Sequence, residues 1–305
     1  MLELDKNKCY GCTACYNICP KQAIVMEEDE KGFLYPKVIK EKCINCGLCE
    51  NLCFKKQDEV LEETVCYAVK NKDDLVKSKS SSGGAFSAFA SQVLKQNGVV
   101  YGAAYGKKFE VVHKRVTKEK ELQDLRGSKY IQSNLDKIFT QVKADLKENK
   151  NVLFVGTPCQ VYGLKKFLKK EEQVNLITMD LVCHGVPSPK IWKDYVKYIE
   201  KEYGGSLTQF TFRNKQEGWR GYHLLAKFNN NKESTSRKVY SFLNIFSSDM
   251  PLRESCYNCS FATTKRISDI TIGDFWGVEK ALPDFNDNLR NFFSVSSFKK
   301  RIRNV

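Results

Sequence analysis

The sequence predicts an α+β protein: a small N-terminal cysteine-rich module, then a larger mixed α/β domain. Three observations predict it. Two short runs near the start carry four cysteines each at identical gaps. Between them, "AIVMEEDEKGFLYPKVI" holds two apolar-rich stretches around a charged turn with Gly32, which suits a β-hairpin. Beyond residue 80, strand-like and helix-like patterns follow one another, which argues for a mostly parallel sheet covered by helices.

The first run, "CYGCTACYNICP", places Cys9, Cys12, Cys15 and Cys19 before Pro20; the second, "CINCGLCENLC", repeats the gaps with Cys43, Cys46, Cys49 and Cys53. Zinc sites usually combine two C-x-x-C pairs, or cysteine with histidine, across a longer loop. The gaps here are those of the bacterial ferredoxin run, whose first three thiolates hold one cluster while the fourth holds the other. That rule assigns Cys9, Cys12, Cys15 and Cys53 to one [4Fe–4S] cluster, and Cys43, Cys46, Cys49 and Cys19 to a second. Zinc or free structural thiols are weaker readings, because a matched pair of runs is far more specific than a lone C-x-x-C. Phe54 stands where the first run has its proline, which alters backbone stiffness without removing a ligand. Residues 1–60 are therefore expected to form a dicluster ferredoxin domain.

A chain of 305 residues can bury a sizeable core without staples. Its thirteen cysteines follow a start, "MLELDKNKCYG", with no apolar signal region, which predicts a reducing, cytoplasmic setting where clustered thiols bind metal or do redox chemistry. No run of eighteen apolar residues exists, so no membrane-spanning helix is expected. Fifty Lys and Arg against thirty-six Asp and Glu leave a net charge of +14, which two or three anionic clusters would only partly offset. Acidic redox proteins such as a ferredoxin or flavodoxin are the expected partners, besides other subunits of a complex. Nucleic acid is not, since the cations are interleaved with acids, as in "KYIEKEYG", and no nucleic-acid motif occurs.

Residues 61–79 are polar and charged and read as a linker; the role of Cys66 within them is open. Ser80 to Gly84 then form a small-residue loop that feeds an alanine-rich helix ending near Gly98, followed by the strand "VVYGAAY". Backbone amides at such a junction can receive an anion, although most such loops are simply caps. "FEVVHKRV", "NVLFVGT" and "VNLITMDLVC" read as further strands, and "NLDKIFTQVKADLKENK", "QVYGLKKFLKK" and "SPKIWKDYVKYIEKEYG" as helices. Ligands collect at the carboxyl ends of strands in such sheets. Cys159 in "VGTPCQ" and Cys183 in "DLVCHGVPS" lie at such ends, and "SCYNCSF" adds Cys256 and Cys259. A third cluster, a zinc site, or a redox-active pair with two bystanders all remain open for these four, since sequence distance does not show that they meet.

The strings "SSGGAFS", "LRGSKYIQS", "VGTPCQ", "CHGVPS", "SCYNCSF" and "ITIGDFWG" occur in one order over about residues 1–288. Together they resemble the coenzyme F420 hydrogenase/dehydrogenase beta subunit family. The resemblance implies a flavoprotein that passes electrons between iron–sulfur clusters and a flavin, FAD or FMN, with the deazaflavin coenzyme F420 or another small organic acceptor as substrate. It implies that Cys159, Cys183, Cys256 and Cys259 ligate a third cluster beside the flavin. A flavin is also the natural converter between one-electron clusters and two-electron organic chemistry. Candidates to hold it are Ser81, Ser82, Gly83 and Gly84, and Arg126, Gly127, Ser128 and Lys129, where two cations flank two small residues suited to phosphate. His184 and Asp274 are the candidate catalytic residues: a histidine can donate a proton near neutrality, though a turn cap and a turn former are the plainer readings. Trp276 lies near Asp274, and "NKQEGWRGYH" adds Trp219 and Arg220 without assigning them a role.

Residues 80–150 and 151–305 are thus read as two parts of one flavin-binding domain. After about residue 288 the chain departs from the pattern with the basic, Ser/Phe-rich "LRNFFSVSSFKKRIRNV", read as a shortened end that would leave a sheet edge unpaired. Three functions stay open: a flavin-dependent oxidoreductase, a non-catalytic electron-transfer subunit of a larger complex, and a dicluster ferredoxin with a degraded second half.

Overall fold

The computed structural model describes residues 5–53, 65–215 and 223–283 and the backbone of strand 294–298. Phe54, Trp219 and Arg220 lie outside the described residues.

The expected hairpin is present: β1 (Ile24–Glu28) pairs antiparallel with β2 (Leu34–Val38), Ile24 opposite Val38. Asp29 organises its turn, accepting at Oδ1 from the amides of Lys31 and Phe33. Gly32 has φ 83°, and a Cβ there would meet the Lys190 amide nitrogen at 2.7 Å, so the turn presses against the second half of the chain.

The next strands are β3 (Val65–Val69), β4 (Val99–Tyr105), β5 (Val111–Val116), β6 (Val152–Gly156) and β7 (Leu176–Leu181). Then come β8 (Leu207–Thr211), β9 (Leu225–Phe228), β10 (Glu233–Ser234), β11 (Ile270–Asp274) and β12 (Ser294–Phe298). Seven form one sheet in the order β3-β12-β11-β7-β6-β4-β5. Its middle, β11-β7-β6-β4, is parallel; β12 and β5 run antiparallel to it on either side, and β3, paired antiparallel with β12, runs in the direction of the middle strands.

The middle strands are buried on both faces, which is why they read as unbroken apolar runs. Val99, Tyr101, Val152 and Phe154 face a core made with helices Ile138–Lys147 and Pro158–Phe167 and with Ala14 of the cysteine module. Val100, Ala104, Leu153 and Val155 face the opposite core, made with helix Ala85–Lys95 and Leu122 and Leu125. A third core is aromatic: Trp192, Tyr195, Phe210, Phe212, Phe242 and Phe246 join helices Pro189–Tyr203 and Arg237–Ser247 to the β8-β9-β10 sheet.

Two expectations are corrected. The passage read as a linker contains strand β3 and helix Asp74–Ser78, capped by Asp73 through the amides of Leu75 and Val76. The tail read as leaving an unpaired edge supplies β12, inserted between β3 and β11, with Ser296 opposite Ile272 on one side and Tyr67 on the other. Neither segment shows an amphipathic period, because a strand completed by distant partners needs only backbone hydrogen bonds.

Candidate functional site

The two cysteine runs curl alike for a local reason. Gly11 and Thr13 in the first (φ 66° and 61°), and Asn45 and Gly47 in the second (φ 52° and 72°), take left-handed backbone at equivalent places. Gly and Asn adopt that region readily, whereas a buried threonine there is strained and has to be held by its surroundings. One-turn helices, Ala14–Ile18 and Leu48–Asn51, follow.

This geometry brings Cys9, Cys12, Cys15 and Cys53 into mutual electrostatic reach. Cys19 joins Cys43, Cys46 and Cys49 around a pocket, its sulfur accepting from the Ala23 amide at 3.2 Å. Burial pushes the Cys12 thiol up to about 12 and raises Cys15 and Cys49 too, with neighbouring sulfurs adding to the shift. Such thiols stay neutral unless a cationic core pairs with their thiolates.

The other four cysteines approach one another as well. Cys159 interacts with Cys183 and Cys256, and Cys183 with Cys256 and Cys259. Burial raises Cys159 strongly and Cys256 as well, while Cys183 lies exposed. Among the described residues no three His, Cys, Asp or Glu side chains converge tightly enough to share one metal ion. A single zinc needs every sulfur within about 2.3 Å of one point; the four thiolates of a [4Fe–4S] group each bind a different iron and stand farther apart. The two donor sets of residues 9–53 fit the larger inorganic core.

Helix Pro158–Phe167 links the groups. It begins with a capping box, Thr157 with Gln160, and carries Cys159 in its first turn. Gly163 lies four residues on, about 6 Å along the same face. A Cβ at Gly163 would stand 2.8 Å from Cys12 Cβ and 2.9 Å from Cys12 Sγ. Cys12 and Cys159 are also within electrostatic reach of each other.

The small-residue loops meet the segment that follows β8, and that segment meets the end of β11. Ser81 Oγ accepts from the Ser128 amide at 2.6 Å, which clips the Ser80–Gly84 loop to the Arg126–Lys129 loop. Gly84 has φ 82° and caps helix Ala85–Lys95, while the Asn71 amide donates to the Gly83 carbonyl. Arg126 Nε donates to Ser87 Oγ at 2.9 Å. Lys129 differs from its expected part as a second phosphate cation: its buried ammonium donates to the carbonyls of Asp124 and Arg126, each at 2.9 Å, and of Gly127. Burial lowers it to about 7, and it braces the loop from within.

Asp274 is an ion-pair partner, accepting from Arg213 Nη1 at 2.8 Å, and the guanidinium lies 5.8 Å from the Trp276 ring centre. Lys215, also buried, donates to the Ser82 carbonyl at 2.9 Å and the Lys77 carbonyl at 2.8 Å. Burial, then the Arg213 charge, lowers it to about 6. His184 stands on the exposed surface, with Nε2 2.5 Å from Asp249 Oδ1 and its ring edge-on to Phe246. Sequence reasoning missed Arg213, Lys215 and the buried Arg253. Only Arg253 carried a signal, three residues before the C-x-x-C pair.

Residues 8–56 match the model of the 4Fe-4S dicluster domain. Residues 149–291 match that of the C terminus of the coenzyme F420 hydrogenase/dehydrogenase beta subunit. The resemblance read from the six strings is borne out, and the chain is an iron–sulfur electron-transfer protein related to that subunit. An uncharacterised ferredoxin of Methanocaldococcus jannaschii is 44% identical over 32 residues, 10% of this chain, and the match spans 42% of that protein. A chain of the F420-reducing [NiFe] hydrogenase complex from Methanosarcina barkeri shares the fold at a TM-score of 0.51 and 14% identity, over 79% of this chain and 77% of that one. Among the described residues no helix is long and apolar enough to cross a membrane.

Proposed function

We propose that the chain is a flavin-dependent iron–sulfur oxidoreductase whose three cysteine groups hold three [4Fe–4S] clusters in line with a flavin. The clusters supply one-electron transfer, and the flavin exchanges those electrons in pairs with an organic acceptor. The supporting observation is the helix Pro158–Phe167, which carries Cys159 of one group and packs Gly163 directly on Cys12 of another.

The chain's own residues have distinct work. Cys46 is exposed, as are Cys53 and Cys183 of the other two groups, so the group with Cys19, Cys43 and Cys49 is one of those open to a redox partner protein. Cys9, Cys12, Cys15 and Cys53 lie between that group and Cys159. These segments offer main-chain amides of the Ser81–Gly84 loop and the Arg126 and Arg213 guanidiniums, with the Lys215 amine beside them, to an anionic, phosphate-bearing cofactor. Asp274 holds Arg213 in place. The reading extends to coenzyme F420 as one possible acceptor and to residues 1–60 and 80–305 as the two functional domains.

The fold shared with a chain of a hydrogenase complex favours one other reading, an electron-transfer subunit without its own substrate site. Anaerobic purification with iron, sulfide and flavin quantitation tests the proposal. About twelve irons and one flavin per chain are expected, since each cluster holds four irons. About eight irons and no flavin would refute it, and turnover by the isolated chain with a low-potential reductant would count against the subunit reading.

A further inference from the structure

Arg253 is buried at 1% exposure in the interface between the cysteine module and the large domain. Its Nε donates to the Cys9 carbonyl at 2.7 Å, Nη1 to Gln132 Oε1 at 3.0 Å, and Nη2 to the Leu34 carbonyl at 2.9 Å and to Cys9 Sγ at 3.7 Å. The guanidinium lies 4.1 Å from the Tyr35 ring centre and 5.3 Å from that of Phe33. Gly11, between Cys9 and Cys12, leaves room for it: a Cβ there would stand 2.8 Å from Nη1. The second run has Asn45 at the equivalent place.

No carboxylate takes a hydrogen bond from this guanidinium among the described contacts; its acceptors are two carbonyls, an amide and a sulfur. A buried cation without a carboxylate is costly unless other negative charge lies near. The thiolates provide that charge, since Arg253 interacts electrostatically with Cys12 and Cys256, members of two different groups. The segment "RESCYNC" therefore does two things at once. It supplies Cys256 and Cys259 to one group, and it lays a fixed positive charge and an N–H···S hydrogen bond on the other.

We infer that Arg253 is a positioning residue that sets the relative reduction potentials of two adjacent clusters, raising that of the cluster held by Cys9, Cys12, Cys15 and Cys53. This rests on the cluster reading above. Hydrogen bonds to sulfur and net local charge are the protein's levers on cluster potential, and a positive charge favours the more negative, reduced state. The raised potential makes the middle cluster an electron reservoir between the group with Cys46 and the group with Cys159.

The test is a redox titration of the anaerobic full-length chain, followed by electron paramagnetic resonance, for wild type, Arg253→Lys, Arg253→Met and Ser255→Ala. Arg253→Lys keeps the charge and loses the forked hydrogen bonds; it should make one cluster harder to reduce while leaving the other two unchanged. Arg253→Met should shift that cluster's reduction equilibrium at least tenfold, about 59 mV for one electron, and the Cys159 cluster by less. Ser255→Ala removes the other donor to the Cys9 carbonyl, at 3.1 Å, and should leave every potential in place. Equal potentials in wild type and both Arg253 variants would overturn the inference, as would a Ser255→Ala shift as large as that of Arg253→Met. A wild-type chain that binds no iron defeats the cluster reading itself, and the metal assay shows this before any titration.

Discussion

Replacing Gly163 by alanine sets two local effects against each other, and the structure decides which wins. Glycine inside a helix costs up to about 1 kcal/mol relative to alanine, so propensity alone predicts a more stable protein. The new Cβ would lie 2.8 Å from Cys12 Cβ and 2.9 Å from Cys12 Sγ, with Phe139 Cε2 at 3.4 Å behind. Ordinary carbon contacts fall at about 3.5–4.0 Å, so helix and cysteine loop have to separate by nearly 1 Å. That gap loosens the core in which Ala14, Phe139, Val161 and Phe167 meet. Overpacking of this kind costs about 1–3 kcal/mol, which leaves a net loss of up to about 2 kcal/mol where propensity promises a gain. The displaced loop carries Cys12, so iron retention falls along with stability. The assay is anaerobic urea unfolding with iron per chain read in parallel; exposed Gln92→Ala in helix Ala85–Lys95 is the control for helix propensity. A Gly163→Ala chain as stable as wild type, with full iron, would refute the close packing of helix on cluster loop.

Cys159→Ser should lower iron from about twelve to about eight per chain while leaving the two clusters of the cysteine module spectroscopically intact; loss of all iron would show that the groups do not form independently. Lys215 has a folded pKa near 6, below its unfolded value, so between pH 6 and 10 the unfolded chain binds the extra proton and stability rises with pH. Urea midpoints from pH 6 to 9 should climb by up to about 1.4 kcal/mol per unit and flatten in Lys215→Met, which should also lose flavin about tenfold more readily; a flat wild-type profile would show that the ammonium stays charged. Asp145 accepts from Tyr101 at 2.5 Å and from both Arg115 Nε and Nη2 at 2.7 Å, so Asp145→Asn, which strands a guanidinium, should cost about 3–5 kcal/mol at neutral pH by urea unfolding without changing cofactor content.

Much of the site was legible because its determinants are local. Four thiols at gaps of two, two and three residues imply a curled loop wherever they occur, and the pairing of Cys53 with the first run follows from there being two such loops. Helix Pro158–Phe167 was legible for the same reason, with proline, a capping box and an apolar period in one short stretch. The residues of the two small-residue loops were legible only as small residues near cations, and the structure separates Arg126, which donates to Ser87, from Lys129, turned inward onto its own loop's carbonyls.

What the sequence by itself determined is thus the chemistry carried by short-range pattern: two ferredoxin runs, a parallel sheet with covered faces, and cysteines at strand ends. Tertiary structure alone decided that Cys159 approaches Cys183 and Cys256, that residues 65–69 and 294–298 complete the sheet, and that Arg253 reaches across 244 positions to Cys9. The physical reason is that hydrogen bonds and burial between distant segments leave no period in either one. A charged residue destined for a buried contact looks, in sequence, like any charge on a solvated surface.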